Sequence, residues 1–402
     1  MLSVALALAG CGGATPPAAS PALEASPAAS ASTPPAAGAT ATPPPSPSVR
    51  GFSLQAALDA ARTAYGAPGA LAVVSVGGTR TFLSSGTADT AGTPITATTR
   101  FRIASITKPI VAALVLDAVS RGELGLDDVV GSLLPGVLRP EPAVTVRQLL
   151  DHTSGIFDET NDVSTPADIE ADIARLSAPA LRAEATDTLQ RALAGDRVVA
   201  SDRVIVALSE THDRYAPPGA AFHYSNTNFQ LAAMLLEKAT GRPLADLLRT
   251  RIVGPLGLRH TTIAPPDLAA PEMRGYAPAD GGTLADLTDD LVWLGNGGNG
   301  GIVSTADDLL TMLEAIVAGD LLPPALRREM LTPVLESYGL GIGESRFSCV
   351  TGWGHQGGVN GQASIAYVAS DGSRGAVIAM NLRKDTDPNL YAVADTLLCA
   401  AG

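Results

Sequence analysis

Lysine is almost missing from this chain of 402 residues: Lys108, Lys238 and Lys384 are the only three. With a formal net charge of −13 and no basic run, no phosphate-binding surface can form, which excludes nucleic acid as a partner. Aromatic residues make up 4 %, too few for a surface that stacks single strands or sugars. No G-x-S-x-G elbow occurs, so the hydrolase fold built on that turn is excluded. His152, His212, His223, His260 and His355 form neither H-E-x-x-H nor an i,i+4 pair, so no metal and no other cofactor is expected. The glycine run 295–301 (GNGGNGG) has no Lys-Ser or Lys-Thr after it and reads as a loop, not a phosphate cradle. There is no internal repeat.

Met1 to Gly10 is an apolar run too short to span a bilayer as a helix, and it reads as the core of an export signal. Leu8-Ala9-Gly10-Cys11 resembles the lipobox of bacterial lipoproteins, although no Lys or Arg precedes the run. That resemblance makes residues 1–11 a signal peptide and Cys11 a lipidated N-terminus. It implies an extracytoplasmic protein held to the outer face of the bacterial cytoplasmic membrane through that lipid alone. Residues 12–50 are built from Ala, Pro, Ser, Thr and Gly, with Glu24 as the only charge before Arg50. Such a segment cannot bury a core, and at about 3.1 Å per residue it would reach on the order of 100 Å as a tether. With Cys11 lipidated, Cys349 and Cys399 are left either to pair as the one intramolecular disulfide or to remain as buried thiols.

The folded domain is expected over 51–402. Helical apolar spacing runs over 52–65, with Ser53 as an N-cap, and over 110–121, 146–151, 229–240, 244–253, 306–318 and 387–400. Strand pairs are expected at 70–76 with 80–84 and at 363–369 with 375–381, the second turning at Asp371-Gly372. Residues 157–213 read as a helix-and-loop excursion rich in small and acidic residues. Strands at both ends and helices between them predict an α/β chain of the α+β type. Its antiparallel sheet is flanked by helices and interrupted by a mostly helical lobe.

Three short motifs carry chemistry. Ser105-Ile106-Thr107-Lys108 puts a hydroxyl and an amine three residues apart on one face of a helical turn, with Pro109 marking the first turn. There the amine can help deprotonate the hydroxyl, and backbone N–H groups point toward developing negative charge. In Tyr224-Ser225-Asn226 an extended segment would aim the phenol and the amide the same way. A phenol acts as a base near neutrality only beside a cation, which Lys108 could supply. His355-Gln356-Gly357-Gly358 forms a glycine-rich strand edge, along which a substrate backbone can lie close.

Taken in that order and spacing, the motifs resemble the serine hydrolase family of class C β-lactamases, serine D-alanyl-D-alanine carboxypeptidases and related esterases. The resemblance runs from about residue 51 to the C-terminus. It takes in 101–105 (FRIAS), 144–155 (VTVRQLLDHTSG), 222–231 (FHYSNTNFQL) and 300–308 (GGIVSTADD). It implies a nucleophile at Ser105, activated by Lys108, and a base at Tyr224 that later protonates the leaving group. Which of Lys108 and Tyr224 takes the first proton stays open. Asn226, His355, Gln356 and Gly357 would bind substrate, and the Ser105 and Gly358 N–H groups would form the oxyanion hole.

The resemblance points to an acyl-serine hydrolase, first of all a D-alanyl-D-alanine carboxypeptidase-like enzyme acting on peptidoglycan stem peptides. His355 stands where the β-lactamases of this family carry the lysine of K-T-G. Gln356 replaces the usual threonine, which favours an esterase on small acyl esters as the alternative. A β-lactamase and a slowly turning over β-lactam-binding sensor complete the set. A titrating His355 is expected to hold a substrate carboxylate; Arg346 nearby could replace that contact but reads first as a surface arginine.

Overall fold

Alternating small and branched apolar residues from the two ends of the chain meet in one sheet. The computed structural model describes residues 54–140, 142–163, 165–196, 198–263, 273–289, 297–359, 361–383 and 390–400. The expected export signal, Cys11 and the tether 12–50 lie outside the described residues. Strands β1 (Gly69–Val76) and β2 (Thr79–Gly86) are joined by Gly77 and Gly78, at φ 55° and 81°. Only glycine enters that mirror-image turn without strain. Near the other end come β3 (Gly343–Arg346), β4 (Thr351–Val359), β5 (Gln362–Ala369) and β6 (Arg374–Met380). The order is β2-β1-β6-β5-β4-β3, antiparallel throughout. The two ends of the chain meet where β1 pairs with β6, for instance at Val73 opposite Val377.

The period of two sorts the side chains of this sheet onto two faces. Ala70, Ala72, Val74, Ile365, Tyr367 and Ile378 pack in one cluster with helix α1 (Leu54–Tyr65) and a closing helix over Leu390–Ala400. Leu71, Val73, Ala366, Val368 and Val377 face the larger cluster beneath the helical lobe. Through that lobe runs α2 (Thr107–Ser120), whose residues from Thr107 to Leu116 are all buried. Helix α3 (Asn226–Thr240) packs beside it. A helix apolar on nearly every side belongs in a core. Lys108 itself is fully buried.

His355-Gln356-Gly357-Gly358 lies inside β4. Partner β3 pairs only with Thr351 to Gly354. Among the described residues, the outer edge of β4 therefore carries no strand from His355 onward. The excursion is helical, over Glu159–Asp162, Pro166–Arg175, Pro179–Leu193 and Asp202–Ser209, with a small core of its own around Ile169, Leu189 and Val204. Cys349 and Cys399 form a disulfide that ties the β3–β4 connection to the closing helix. Among the described residues, no helix is long and apolar enough to cross a membrane.

Candidate active site

The short strand Phe101–Arg102 delivers the chain to a single 3-10 turn, Ala104–Ile106, from which α2 continues. Ala104 sits at φ 48°, a left-handed conformation that costs an alanine on the order of 1 kcal/mol and is held by its surroundings. Ser105 follows at the mouth of the helix. Three residues on, the Lys108 ammonium donates to Ser105 Oγ at 3.0 Å, to Asn226 Oδ1 at 2.7 Å and to the Asn299 carbonyl at 2.8 Å. The half-buried Tyr224 lies beside it, its ring centroid 4.9 Å from Lys108 Nζ. A hydroxyl and an amine of one turn thus meet a phenol from a distant segment. The amine stabilises negative charge developing on Ser105 Oγ and can exchange a proton with its neighbours.

Strand β4 closes another side of the cleft. A methyl group on Gly357 would stand 2.4 Å from the Ile103 carbonyl and 3.2 Å from Ala104 Cβ. The strand backbone therefore rests on the nucleophile turn, an approach only glycine permits. His355 lies 6.1 Å from Tyr224 between ring centroids. Its Nδ1 faces the Gln356 carbonyl, which requires a proton on that nitrogen, and its Nε2 then accepts from the Tyr338 hydroxyl at 3.1 Å. Burial, reinforced by the Lys108 charge, pushes the ring down to about 3. This corrects the expected titrating cation: His355 is neutral, with both nitrogens engaged inside the protein. Arg346 pairs with Thr351 at the opposite end of the β3–β4 ladder, away from His355. Gln356 is half-buried, and a methyl group on Gly358 would stand 3.2 Å from the Arg383 guanidinium carbon.

Four residues given no role by the sequence complete the arrangement. Asp158 is wholly buried and accepts from Asn226 Nδ2 at 3.2 Å, which leaves Asn226 Oδ1 turned toward Lys108. Burial pushes its carboxyl up to about 6 against the pull of Asn226 and Lys108. Asn299 comes from the glycine run read as a loop, and a methyl group on neighbouring Gly298 would meet the Phe229 carbonyl at 2.5 Å. Residues 297–301 of the run pack tightly against α3, and the Asn299 carbonyl reaches the site. His152 accepts at Nδ1 from Ser225 N–H at 3.2 Å and from Asn228 at 3.1 Å, and its own carbonyl accepts from His223 N–H at 2.9 Å. Its ring lies 4.4 Å from Tyr224 between centroids, so His152 positions the segment that carries the phenol. Tyr338 is the fourth, through its bond to His355. The sequence signal for His152 was its place in 144–155, and for Asn299 the density of glycine. Asp158 gave none.

The chain matches the Beta-lactamase family model over residues 54–398. It is 28 % identical over 358 residues to a D-aminopeptidase of Cereibacter sphaeroides, which covers 87 % of this chain and 63 % of that protein. It is 32 % identical over 294 residues to Esterase EstB of Burkholderia gladioli, covering 65 % and 69 % respectively. A D-stereospecific amidohydrolase from Streptomyces sp. superposes with a TM-score of 0.69 at 32 % identity, over 87 % of this chain and 98 % of that one. The chain spans less than two thirds of the length of the D-aminopeptidase it matches.

Proposed function

This chain belongs to the Beta-lactamase family of serine hydrolases, and from that premise we propose that it cleaves amide bonds beside a D-configured residue through an acyl-Ser105 intermediate. The observation that carries the acyl-serine step is the Lys108 ammonium held between Ser105 Oγ and Asn226 Oδ1. Ser105 Oγ attacks the carbonyl carbon and gives its proton to the Lys108–Tyr224 pair, which shares one proton between amine and phenolate before the attack. The oxyanion is held by the Ser105 and Gly358 N–H groups. As the C–N bond breaks, Tyr224 returns the proton to the leaving amine. Water then attacks the ester, loses its proton to the same pair, and releases the acid and Ser105.

The neutral, internally bonded His355 supports a substrate without a terminal carboxylate, such as an amide. The names of the D-aminopeptidase and the D-stereospecific amidohydrolase support the D configuration. A carboxypeptidase acting on peptides ending in D-Ala-D-Ala is the second reading, favoured by the Arg383 guanidinium beside Gly358. A place outside the cytoplasm is part of the proposal, supported by the Cys349–Cys399 disulfide.

The test is a turnover panel with Ser105→Ala as blank. It holds D- and L-phenylalanine amide, a peptide ending in D-Ala-D-Ala, a p-nitrophenyl ester and a chromogenic cephalosporin. The D-amide is expected to give the highest kcat/KM, at least tenfold above its L-isomer. Preference for the D-Ala-D-Ala peptide would replace this reading by the second. Intact-protein mass with no acyl adduct from any substrate or β-lactam would end both.

A further inference from the structure

Glu159, Asp172 and His212 come from three separate segments of the helical excursion, and their donor atoms all lie within 4.8 Å of one another. We propose that these three side chains bind one divalent transition-metal ion, which staples three segments of the excursion to one another. His212 Nε2 lies 2.9 Å from Asp172 Oδ2 and 4.0 Å from Glu159 Oε2. Ligands about 2.1 Å from a tetrahedral zinc ion stand roughly 3.4 Å apart, so shifts below about 1 Å would seat the ion.

The second observation is Glu159 itself. Its side chain is 2 % exposed, and neither carboxylate oxygen has a hydrogen-bond partner among the described residues. A buried carboxylate without donors is costly unless it is protonated or ligates a cation. The Arg175 guanidinium bonds the other oxygen of Asp172 at 2.5 Å and leaves Asp172 Oδ2 to the cluster. The His212 ring is stacked on Phe157 at 3.9 Å, and its backbone carbonyl accepts from Arg139 at 2.7 Å, so the imidazole is held in place. His212 is 23 % exposed in its side chain, which leaves a path for the ion and a position for water.

One imidazole and two carboxylates suit zinc or a similar ion better than magnesium or calcium, which prefer oxygen ligands alone. A spacing of 159, 172 and 212 matches no local ligand motif, so a scan of the histidines could not find it. The ion would be structural. It sits one residue from Asp158, which holds Asn226, and it takes no part in the chemistry at Ser105.

The experiment uses the whole chain, freed of metal by chelation and dialysis. Titration calorimetry with Zn²⁺ is expected to give one ion per chain. The melting midpoint should rise by about 4 °C at 100-fold excess over Kd, with no rise in Mg²⁺ or Ca²⁺. Glu159→Gln and His212→Gln should each abolish the effect, while His223→Gln should keep it. Co²⁺ added to the unaltered protein gives a readout that depends on no variant: the intense visible bands of a tetrahedral ion are expected. Absence of stoichiometric Zn²⁺ binding, binding that survives both variants, or a weak octahedral Co²⁺ spectrum would each overturn the proposal.

Discussion

Lys108 and Asn226 are 118 residues apart in sequence and 2.7 Å apart in space, joined by a buried bond from Nζ to Oδ1. The bond locks α2, which continues from the nucleophile turn, to the start of α3. It also fixes the amine 3.0 Å from Ser105 Oγ.

Replacing Lys108 by methionine keeps the length of the side chain and removes its charge. Asn226 Oδ1 and the Asn299 carbonyl then lose a donor, at about 1–3 kcal/mol each, but the desolvation of a buried ammonium is also relieved. The fold is expected to survive, with kcat/KM down about 10³-fold. Ester kinetics and the rate of acyl-adduct formation by mass check this. A Lys108→Met enzyme with more than a tenth of normal activity would show that Tyr224 activates Ser105 without the amine.

Asp158 acts through Asn226. Asp158→Ala removes the acceptor that orients the amide, so Asn226 is free to rotate Oδ1 away from Lys108. A loss of one such buried bond is worth about 1–3 kcal/mol, which predicts a 10- to 100-fold fall in kcat. Because the effect is one of orientation, Asp158→Glu should recover little and Ser105 should still acylate slowly. Normal kcat with a lowered melting midpoint would reduce Asp158 to a structural carboxylate.

His355 sets a pH dependence of stability and none of activity. Unfolded, its ring takes a proton near 6.5, while folded it is held at about 3 by burial and by Lys108. Between these values the unfolded chain binds more protons, so its contribution is full above pH 6.5 and lost as pH falls toward 3. The slope approaches about 1.4 kcal/mol per pH unit. Denaturant unfolding of the protein and of His355→Gln, compared across pH 4 to 7, should show this slope in their difference. The profile of kcat/KM should carry no His355 inflection between about pH 5.5 and 8. An inflection near 6.5 that disappears in His355→Gln would restore a titrating ring.

The nucleophile motif was legible because its geometry is local: three residues along a helical turn fix Ser105 against Lys108 whatever the rest of the chain does. The first strand pair was legible for the same reason, since two short runs around a two-glycine turn declare β1 and β2 without distant partners. Asp158 and Asn299 were not legible, because each reaches Lys108 or Asn226 from a segment whose placement depends on the whole core. The charge of His355 was hidden for a different reason. Its sequence neighbours do not reveal that Tyr338 and a backbone carbonyl use both nitrogens, or that β4 is buried there.

Gly357 separates contact from chemistry. A methyl group at this position would stand 2.4 Å from the Ile103 carbonyl, a backbone atom that cannot swing aside. Gly357→Ala must therefore push β4 off the turn that carries Ser105, at a cost of about 1–3 kcal/mol and a shift that disrupts the oxyanion donors. At Gly358 the same methyl would meet only the far end of Arg383, which can move. Gly358→Ala is expected to melt within about 2 °C of the parent, and Gly357→Ala to melt lower and lose at least about 10²-fold in kcat. Calorimetric melting and single-turnover acylation of the two variants provide the comparison. Equal behaviour of both would mean that β4 does not press on the nucleophile turn, and the tight strand edge would lose its role.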